Sequence, residues 1–309
     1  MTTLDTGLSG CSLELISDRV LRKYSSSPDY NSRLFKQAVK QRVFSESIYK
    51  NIDAPRIHCI SKDYFDMEYI PGHSFVEFFE TASINDVEFV KQTLFDYFDQ
   101  LISTSRYIDP GNKIRYKIDT LRLKTGYPKL LDYIQTILIR YNLRVPHTFC
   151  HGDLTFSNII FHPNRLFFID FLDCYVDTFL SDLVKLKQDL YYLWGLKTQN
   201  IQSNRIEQIY RYIWTQLEER YSEYMDETFD ILDVMNTLRL EPYLTSESHR
   251  VILDTIVKST QLYALSDSAN GRSVESIPKH ATEMDVDSSN VESLYGYGID
   301  SRTELRLLR

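Results

Sequence analysis

Residues 151–171 read HGDLTFSNIIFHPNRLFFIDF. The stretch parses into a polar loop, a short apolar run (Ile159–Phe161), a turn at Pro163-Asn164 and a second apolar run (Leu166–Ile169), which predicts a loop followed by a β-hairpin. Asp153 and Asn158 fall in the loop, and Asp170 ends the second strand. A loop and a hairpin can aim three short oxygen-bearing side chains into one cleft. Phosphoryl transfer needs such parts: a carboxylate to orient a hydroxyl and accept its proton, and oxygen ligands for the cations that bridge the phosphates.

The segment resembles the motif H-x-D-x-x-x-x-N followed by I-D-[FW] of the aminoglycoside phosphotransferase and choline kinase superfamily, with His151, Asp153, Asn158 and Asp170 at the matching offsets. The resemblance implies an α+β, two-lobed protein-kinase-like fold. The lobes would be a small N-terminal β-sheet lobe with one main helix and a larger, mostly helical C-terminal lobe. It further implies Asp153 as catalytic base, Asn158 and Asp170 as Mg2+ ligands, and His151 as support for the loop. Downstream, FLDCYVDTFLSDLVKLKQD resembles the family's turn followed by an Asp opening a helix, and Asp182 takes that bracing role. Asp173 and Asp177 lie between. They read either as turn and cap residues or as acidic groups facing a polar or cationic substrate.

Working back towards the N-terminus, Met67-Glu68-Tyr69-Ile70-Pro71-Gly72 resembles the hinge between lobes, with backbone groups of Glu68, Tyr69 and Ile70 facing the adenine of ATP or another nucleoside triphosphate. Ahead of it, Ser12–Ser17, Arg19–Ser25, Arg56–Ser61 and Tyr64–Ile70 read as strands, and Asn31–Lys50 as an amphipathic helix. Gly7 and Gly10 precede the first of these strands, where backbone N–H groups could approach phosphate oxygens. The phosphate-contacting cation is expected on Val20-Leu21-Arg22-Lys23. Side chains alternate on a strand, so Arg22 shares a face with Val20 and is favoured, with Lys23 the alternative by a one-residue slip. Glu46, the only acid between Tyr30 and Lys50, is the expected partner of that cation.

After Pro71-Gly72 the pattern turns helical: Asp86–Ser105, Lys129–Tyr141, Phe179–Trp194, Arg205–Tyr221, Phe229–Leu240 and Ser248–Ala264. The expected organisation is a nucleotide-binding lobe over 1–70, a catalytic and acceptor-binding lobe over 71–265, and a polar tail or irregular wrap over 266–309.

Composition bounds the rest. A chain of 309 residues can bury a sizeable core, and a net charge of −8 argues against a nucleic-acid partner. Cys11, Cys59, Cys150 and Cys174 show no C-x-x-C spacing. They read as scattered thiols of a reducing compartment, without a zinc site or disulfide framework. No run approaches the ~18 apolar residues of a membrane span, and the first residues carry no signal-peptide pattern, so a cytoplasmic protein is expected. The seven His residues form no H-x-x-x-H-type ligand pair in a helical setting, which argues against metal-only hydrolysis. A protein kinase is disfavoured because Asp170 is followed by Phe171-Leu172 rather than Phe-Gly, and no A-P-E follows. The leading reading is a small-molecule kinase. Its acceptor is preferentially a carbohydrate or surface-polysaccharide precursor, because the segment resembles phosphotransferases of such pathways. Choline or another amino alcohol, an aminoglycoside, and a catalytically silent nucleotide-binding regulator remain the alternatives.

Overall fold

The computed structural model describes residues 3–4, 11–25, 27–141, 143–244 and 246–268, all within one compact unit that spans residues 1–270. Gly7, Gly10 and the polar stretch from 269 onward lie outside the described residues. The elements run β1 (Thr3–Leu4), β2 (Cys11–Ser17), β3 (Val20–Ser25), α1 (Asn31–Ser45), β4 (Ile52–Asp53), β5 (Ile57–Ile60) and β6 (Tyr64–Glu68). They continue with α2 (Phe75–Thr81), α3 (Ile84–Ser103), β7 (Arg106–Ile108), α4 (Gly111–Arg122), α5 (Pro128–Arg140), β8 (Val145–His147), β9 (Ile159–His162) and β10 (Arg165–Phe168). The remainder is α6 (Phe179–Leu186), α7 (Trp194–Thr198), α8 (Asn204–Arg220), α9 (Glu227–Leu238), α10 (Glu247–Ser259) and α11 (Gln261–Ser268).

The N-terminal part is an antiparallel sheet of order β1-β2-β3-β6-β5 with α1 packed on one face. Its core is small: Cys11, Leu34, Ala38, Phe65 and Met67. The much larger second core is built from α2 to α11 and the β9–β10 hairpin. This is the α+β arrangement of a small sheet lobe and a helical lobe that the sequence implies.

Three features join the cores. Phe44, near the end of α1, belongs to the larger core, where its ring packs 5.0 Å from Phe171 and 5.7 Å from Phe168. The chain leaving β6 makes a two-way backbone bridge with the hairpin, His73 N to Phe161 O at 2.9 Å and Phe161 N to His73 O at 3.0 Å. The short strand β4 also pairs in parallel with β10, so residues following α1 form the third strand of the β9–β10 hairpin sheet.

Helix starts follow capping chemistry. Ser74 with Glu77, and Ser83 with Asp86, form reciprocal capping boxes that open α2 and α3. Ser203, Asp226 and Ser246 cap α8, α9 and α10.

Several expected boundaries differ. The helix expected to reach Lys50 ends at Ser45, because Ser47 O–H and N–H groups turn back onto Val43 and Phe44 carbonyls and Asn51 takes a left-handed φ of 62°. The helix expected over Phe179–Trp194 is regular only to Leu186. It widens through a π-turn at Lys187–Tyr191 and breaks where Leu193 adopts φ 58°. The helix expected over Ser248–Ala264 is two helices, divided at Thr260 by an extended ψ of 144°. Helices α2 and α4 were not legible from the pattern. Among the described residues, no helix is long and apolar enough to cross a membrane.

Candidate active site

The loop from His151 to Asn158 is held from behind by one buried carboxylate. Asp182, in the first turn of α6, accepts the His151 N–H at 2.6 Å and the Gly152 N–H at 2.8 Å. His151 is wholly buried. Its Nε2 donates to the Ile169 carbonyl at 2.8 Å and its Nδ1 accepts the Asp153 N–H at 3.2 Å, which assigns the neutral Nε2–H tautomer. Burial pushes the imidazole down to about 4, in keeping with a structural ring. The Leu172 N–H closes on the His151 carbonyl at 2.9 Å, so the loop and the segment after Asp170 lie backbone to backbone. Gly152, at φ 89°, is the residue that permits this approach.

Asp153 emerges from this frame with its side chain 28% exposed. Its Oδ1 meets the Lys185 ammonium at 3.0 Å and Arg239 at 3.9 Å, while Oδ2 accepts from Asn158 Nδ2 at 3.1 Å. Burial pulls its pKa up, but Lys185 and Arg239 outweigh that and hold it below the usual carboxylate value. The group is therefore ionised at neutral pH.

Asn158 also donates to the Asp153 carbonyl at 2.8 Å, which commits its NH2 and keeps Oδ1 available to a cation. Its own carbonyl accepts from Ile169 N at 3.0 Å, which places Asn158 one residue from Asp170 across the hairpin. Asp170 follows β10 at φ 62°, a left-handed conformation that Asp tolerates better than most residues, and its carboxylate is 42% exposed. Strain of this kind often accompanies a functional constraint. The donor set suits a hard divalent cation: Asp170 and Asn158 offer oxygen ligands, and the Lys23 ammonium, 2.6 Å from Asp170, already stands as positive charge beside it.

The cation register differs from the favoured reading. Arg22 points to the opposite face, where Asp66 on β6 takes it in a two-point pair at 2.7 and 3.0 Å and Tyr64 lies under the guanidinium at 4.0 Å. Lys23 is the inward residue, only 3% exposed, and it spans the lobes to Asp170. Burial pulls the Lys23 pKa down, but the Asp170 charge prevails and raises it. The facing follows from Leu21, which packs against the small core that includes Leu34 and Ala38 of α1 and shares its face of β3 with Lys23, so that Val20 and Arg22 turn the other way. Glu46 is corrected with it: it is exposed at the C-terminal end of α1 and faces neither cation. Instead α1 offers Gln37, buried and bonded to Tyr30, and Lys40, whose ammonium meets the Leu172 carbonyl at 2.5 Å. Lys23→Ala is expected to raise the nucleotide KM and lower kcat by about tenfold or more, since it removes a charge-assisted contact. Arg22→Ala should change both less than about twofold; steady-state kinetics of the two variants compares them.

At the hinge, Glu68 N–H donates to Arg56 O at 2.8 Å and Tyr69 N–H to Arg19 O at 2.9 Å. Among the described residues this leaves the Ile70 N–H as the uncommitted donor of the three. Asp173 and Asp177 lie on the rim, paired with Lys36 at 3.2 Å and Lys113 at 3.4 Å. Cys150 and Cys174 meet where the loop lies against the segment after Asp170, with Cα atoms 7.2 Å apart, beyond the usual span of a disulfide.

Sequence reasoning missed Lys185, Arg239 and Asp189. Lys185 stands three residues after Asp182 on one helix, a same-face spacing that could have revealed it. Asp189, in the π-turn, accepts the Phe156 N–H at 2.8 Å and braces the far end of the loop. Burial raises Asp182 and Asp189 each to about 6 despite two backbone N–H bonds apiece. A carboxyl raised in the folded state contributes stability fully below its ordinary value of 3.8 and loses it as pH rises through 6. Activity has the opposite sign, because a protonated Asp182 releases an acceptor from the loop. The kcat is expected to fall as pH drops through about 6, and Asp182→Asn should be slow throughout and lack that limb; a pH–rate profile checks this.

Comparisons with known proteins follow this geometry. Residues 18–224, two thirds of the chain, match the model of the phosphotransferase enzyme family. Among solved structures, the streptomycin–ATP ternary complex of APH(2'')-IIa aligns with TM-score 0.54 at 16% identity, over 84% of this chain and 91% of that one. The gentamicin complex of APH(2'')-IIa gives 0.56 at 14%, over 84% and 91%. A candidate fructosamine-3-kinase from Thermobifida fusca YX-ER1 gives 0.51 at 13%, over 82% and 92%. No curated protein matches significantly. At such identities the structural likeness speaks for the fold, which is the protein-kinase-like one. With two thirds of its length matched to one family model, the chain belongs to the phosphotransferase enzyme family, ATP-dependent enzymes with an alcohol group as acceptor.

Proposed function

We propose that this phosphotransferase moves the γ-phosphoryl group of magnesium-bound ATP, or another nucleoside triphosphate, to a hydroxyl of a small polar acceptor, preferentially a carbohydrate. The observation that carries this reading is the ion pair between Lys23 and Asp170. It brings a buried cation of the sheet lobe to the carboxylate that closes the catalytic hairpin, beside Asn158 and Asp153.

Magnesium, when bound, would neutralise the negative charge that develops on the phosphates during transfer. Asp170 and Asn158 are the residues to hold it. Lys23 then exchanges Asp170 for phosphate oxygen, and the Ile70 N–H meets the base edge. Asp153 accepts a hydrogen bond from the acceptor hydroxyl, aligns it for attack and takes its proton as the new O–P bond forms. Lys185 and Asn158 keep the carboxylate in place for that step. The division of the chain into a nucleotide lobe and an acceptor lobe near residue 70 follows from the same placement.

The test is transfer from γ-labelled ATP to a panel of sugars, amino alcohols and aminoglycosides, read by mass spectrometry. Labelled acceptor from wild type, and none from Asp153→Asn, is expected. Magnesium-dependent nucleotide binding with no transfer to any hydroxyl would favour a silent regulator instead.

A further inference from the structure

Along α6 and the π-turn that follows it, three side chains meet the loop at successive points. Asp182 takes the His151 and Gly152 N–H groups and Asp189 the Phe156 N–H, so two buried carboxylates hold the loop's backbone near both ends. Lys185 stands between them, three residues after Asp182 and four before Asp189, on the same face. Among the described residues, the loop group that its ammonium meets is a side chain, the Asp153 carboxylate, 3.0 Å away at Oδ1. Lys185 is only 4% exposed, and burying a cation is costly. Burial pushes its pKa down to about 8, against the pull of the Asp153 charge. Asp182 and Asp189 already brace the backbone, so what the cation adds is a fixed place for one oxygen of Asp153.

Lys185 is itself held. Its Nζ donates to Gln188 Oε1 at 3.2 Å, and the same oxygen accepts from Asn236 Nδ2 of α9 at 2.9 Å. Both amides are buried, at 4% and 3% exposure. The π-turn at Lys187–Tyr191 carries Gln188 and Asp189 side by side with different targets: the first faces Lys185 and α9, the second the Phe156 N–H. Wide turns of this kind recur at functional sites. A buried polar chain therefore runs from Asn236 through Gln188 and Lys185 to Asp153. Packing does not require the two amides, because apolar side chains of similar shape at both positions would leave no hydrogen bond between them unmet.

We propose that Gln188 and Asn236 are positioning residues that act through Lys185 to fix the direction of the Asp153 carboxylate. The inference rests on the kinase reading above and deepens it. The backbone brace sets where Asp153 stands, and this chain sets how its oxygens are turned. Oδ1 is taken by Lys185, and Oδ2, which Asn158 meets on one side, keeps a lone pair for the acceptor hydroxyl.

The test is a double-mutant cycle of Lys185→Met and Gln188→Met in the full chain with magnesium. Methionine is unbranched and fills either site with little change in packing. The rate read is transfer from γ-labelled ATP to the best acceptor of the panel above, or to water where none of the panel reacts. Affinity is read with a non-hydrolysable ATP analogue. Lys185→Met should lose about a hundredfold in kcat and Gln188→Met about tenfold, while both bind the analogue within about twofold of wild type. The double variant should be no slower than Lys185→Met, because Gln188 has nothing to act through once the ammonium is gone. Should Lys185→Met fail to fold, Gln188→Met and Asn236→Leu carry the test. Each should lower kcat with analogue affinity kept, and the pair together should lose no more than Gln188→Met alone. Wild-type kcat in Gln188→Met, or losses that add in full, would overturn the inference while leaving the kinase reading in place. A wild type that transfers phosphate to none of these acceptors, water included, would overturn that reading and the inference with it.

Discussion

Asp153→Asn is expected to lower kcat by roughly three orders of magnitude, in the range that general-base contributions span, while changing nucleotide affinity by less than about twofold. Asparagine keeps the shape and can still accept one hydrogen bond, so the loop should hold through the Asp153 N–H bond to His151 and the Asn158 bond to the Asp153 carbonyl. What disappears is the negative charge between Lys185 and Arg239, and with it the oxygen proposed to receive the hydroxyl proton. The nucleotide contacts assigned to Lys23, Ile70 and Asp170 do not involve this side chain. Steady-state kinetics beside a binding isotherm separates the two effects. A variant turning over near the wild-type rate would remove Asp153 from the chemistry.

Gly152→Ala is expected to damage both the fold and the activity. At φ 89° an L-residue is strained, and the new Cβ would fall 2.1 Å from the Leu172 carbonyl oxygen and 3.0 Å from Cys174 Sγ. The oxygen cannot withdraw freely, because Leu172 is held by its own N–H on His151 and by the Lys40 ammonium on its carbonyl. The loop must therefore move, with a loss of about 3 kcal/mol for strain and lost contacts. A shift of about 1 Å at Asp153 alone can cost about a hundredfold in rate. Gly126→Ala is the control: its Cβ would meet only Glu241 Oε1, at 3.4 Å, an ordinary contact. Thermal melts and kcat for the pair measure the difference. A Gly152→Ala protein that melts and turns over like wild type would mean that the loop does not need this close approach.

The catalytic loop, the hairpin and the Asp182 brace were readable because their residues lie close in sequence, and local spacing there dictates local geometry. The sheet lobe was readable as strands and a helix but not in its inward register. Arg22 and Lys23 differ by one position, and alternation cannot say which face is buried without knowing where α1 packs. Glu46 failed for a related reason: α1 stops at Ser45, so its end points into solvent rather than along the sheet. The acceptor side was least legible. Arg239 reaches Asp153 only because α9 packs on α6, a contact that periodicity does not encode. The meeting of Cys150 and Cys174 likewise depends on two loops coming together in space.

Calorimetry of a non-hydrolysable ATP analogue, with and without magnesium, tests most directly how the cleft divides its work. Wild type and Asp153→Asn should bind alike and more tightly with magnesium. Asp170→Ala should lose the magnesium-dependent part of the affinity, about tenfold or more, even though Lys23 is then released from its ion pair. An Asp170→Ala protein that binds the analogue as wild type does, with the same magnesium dependence, would contradict the account.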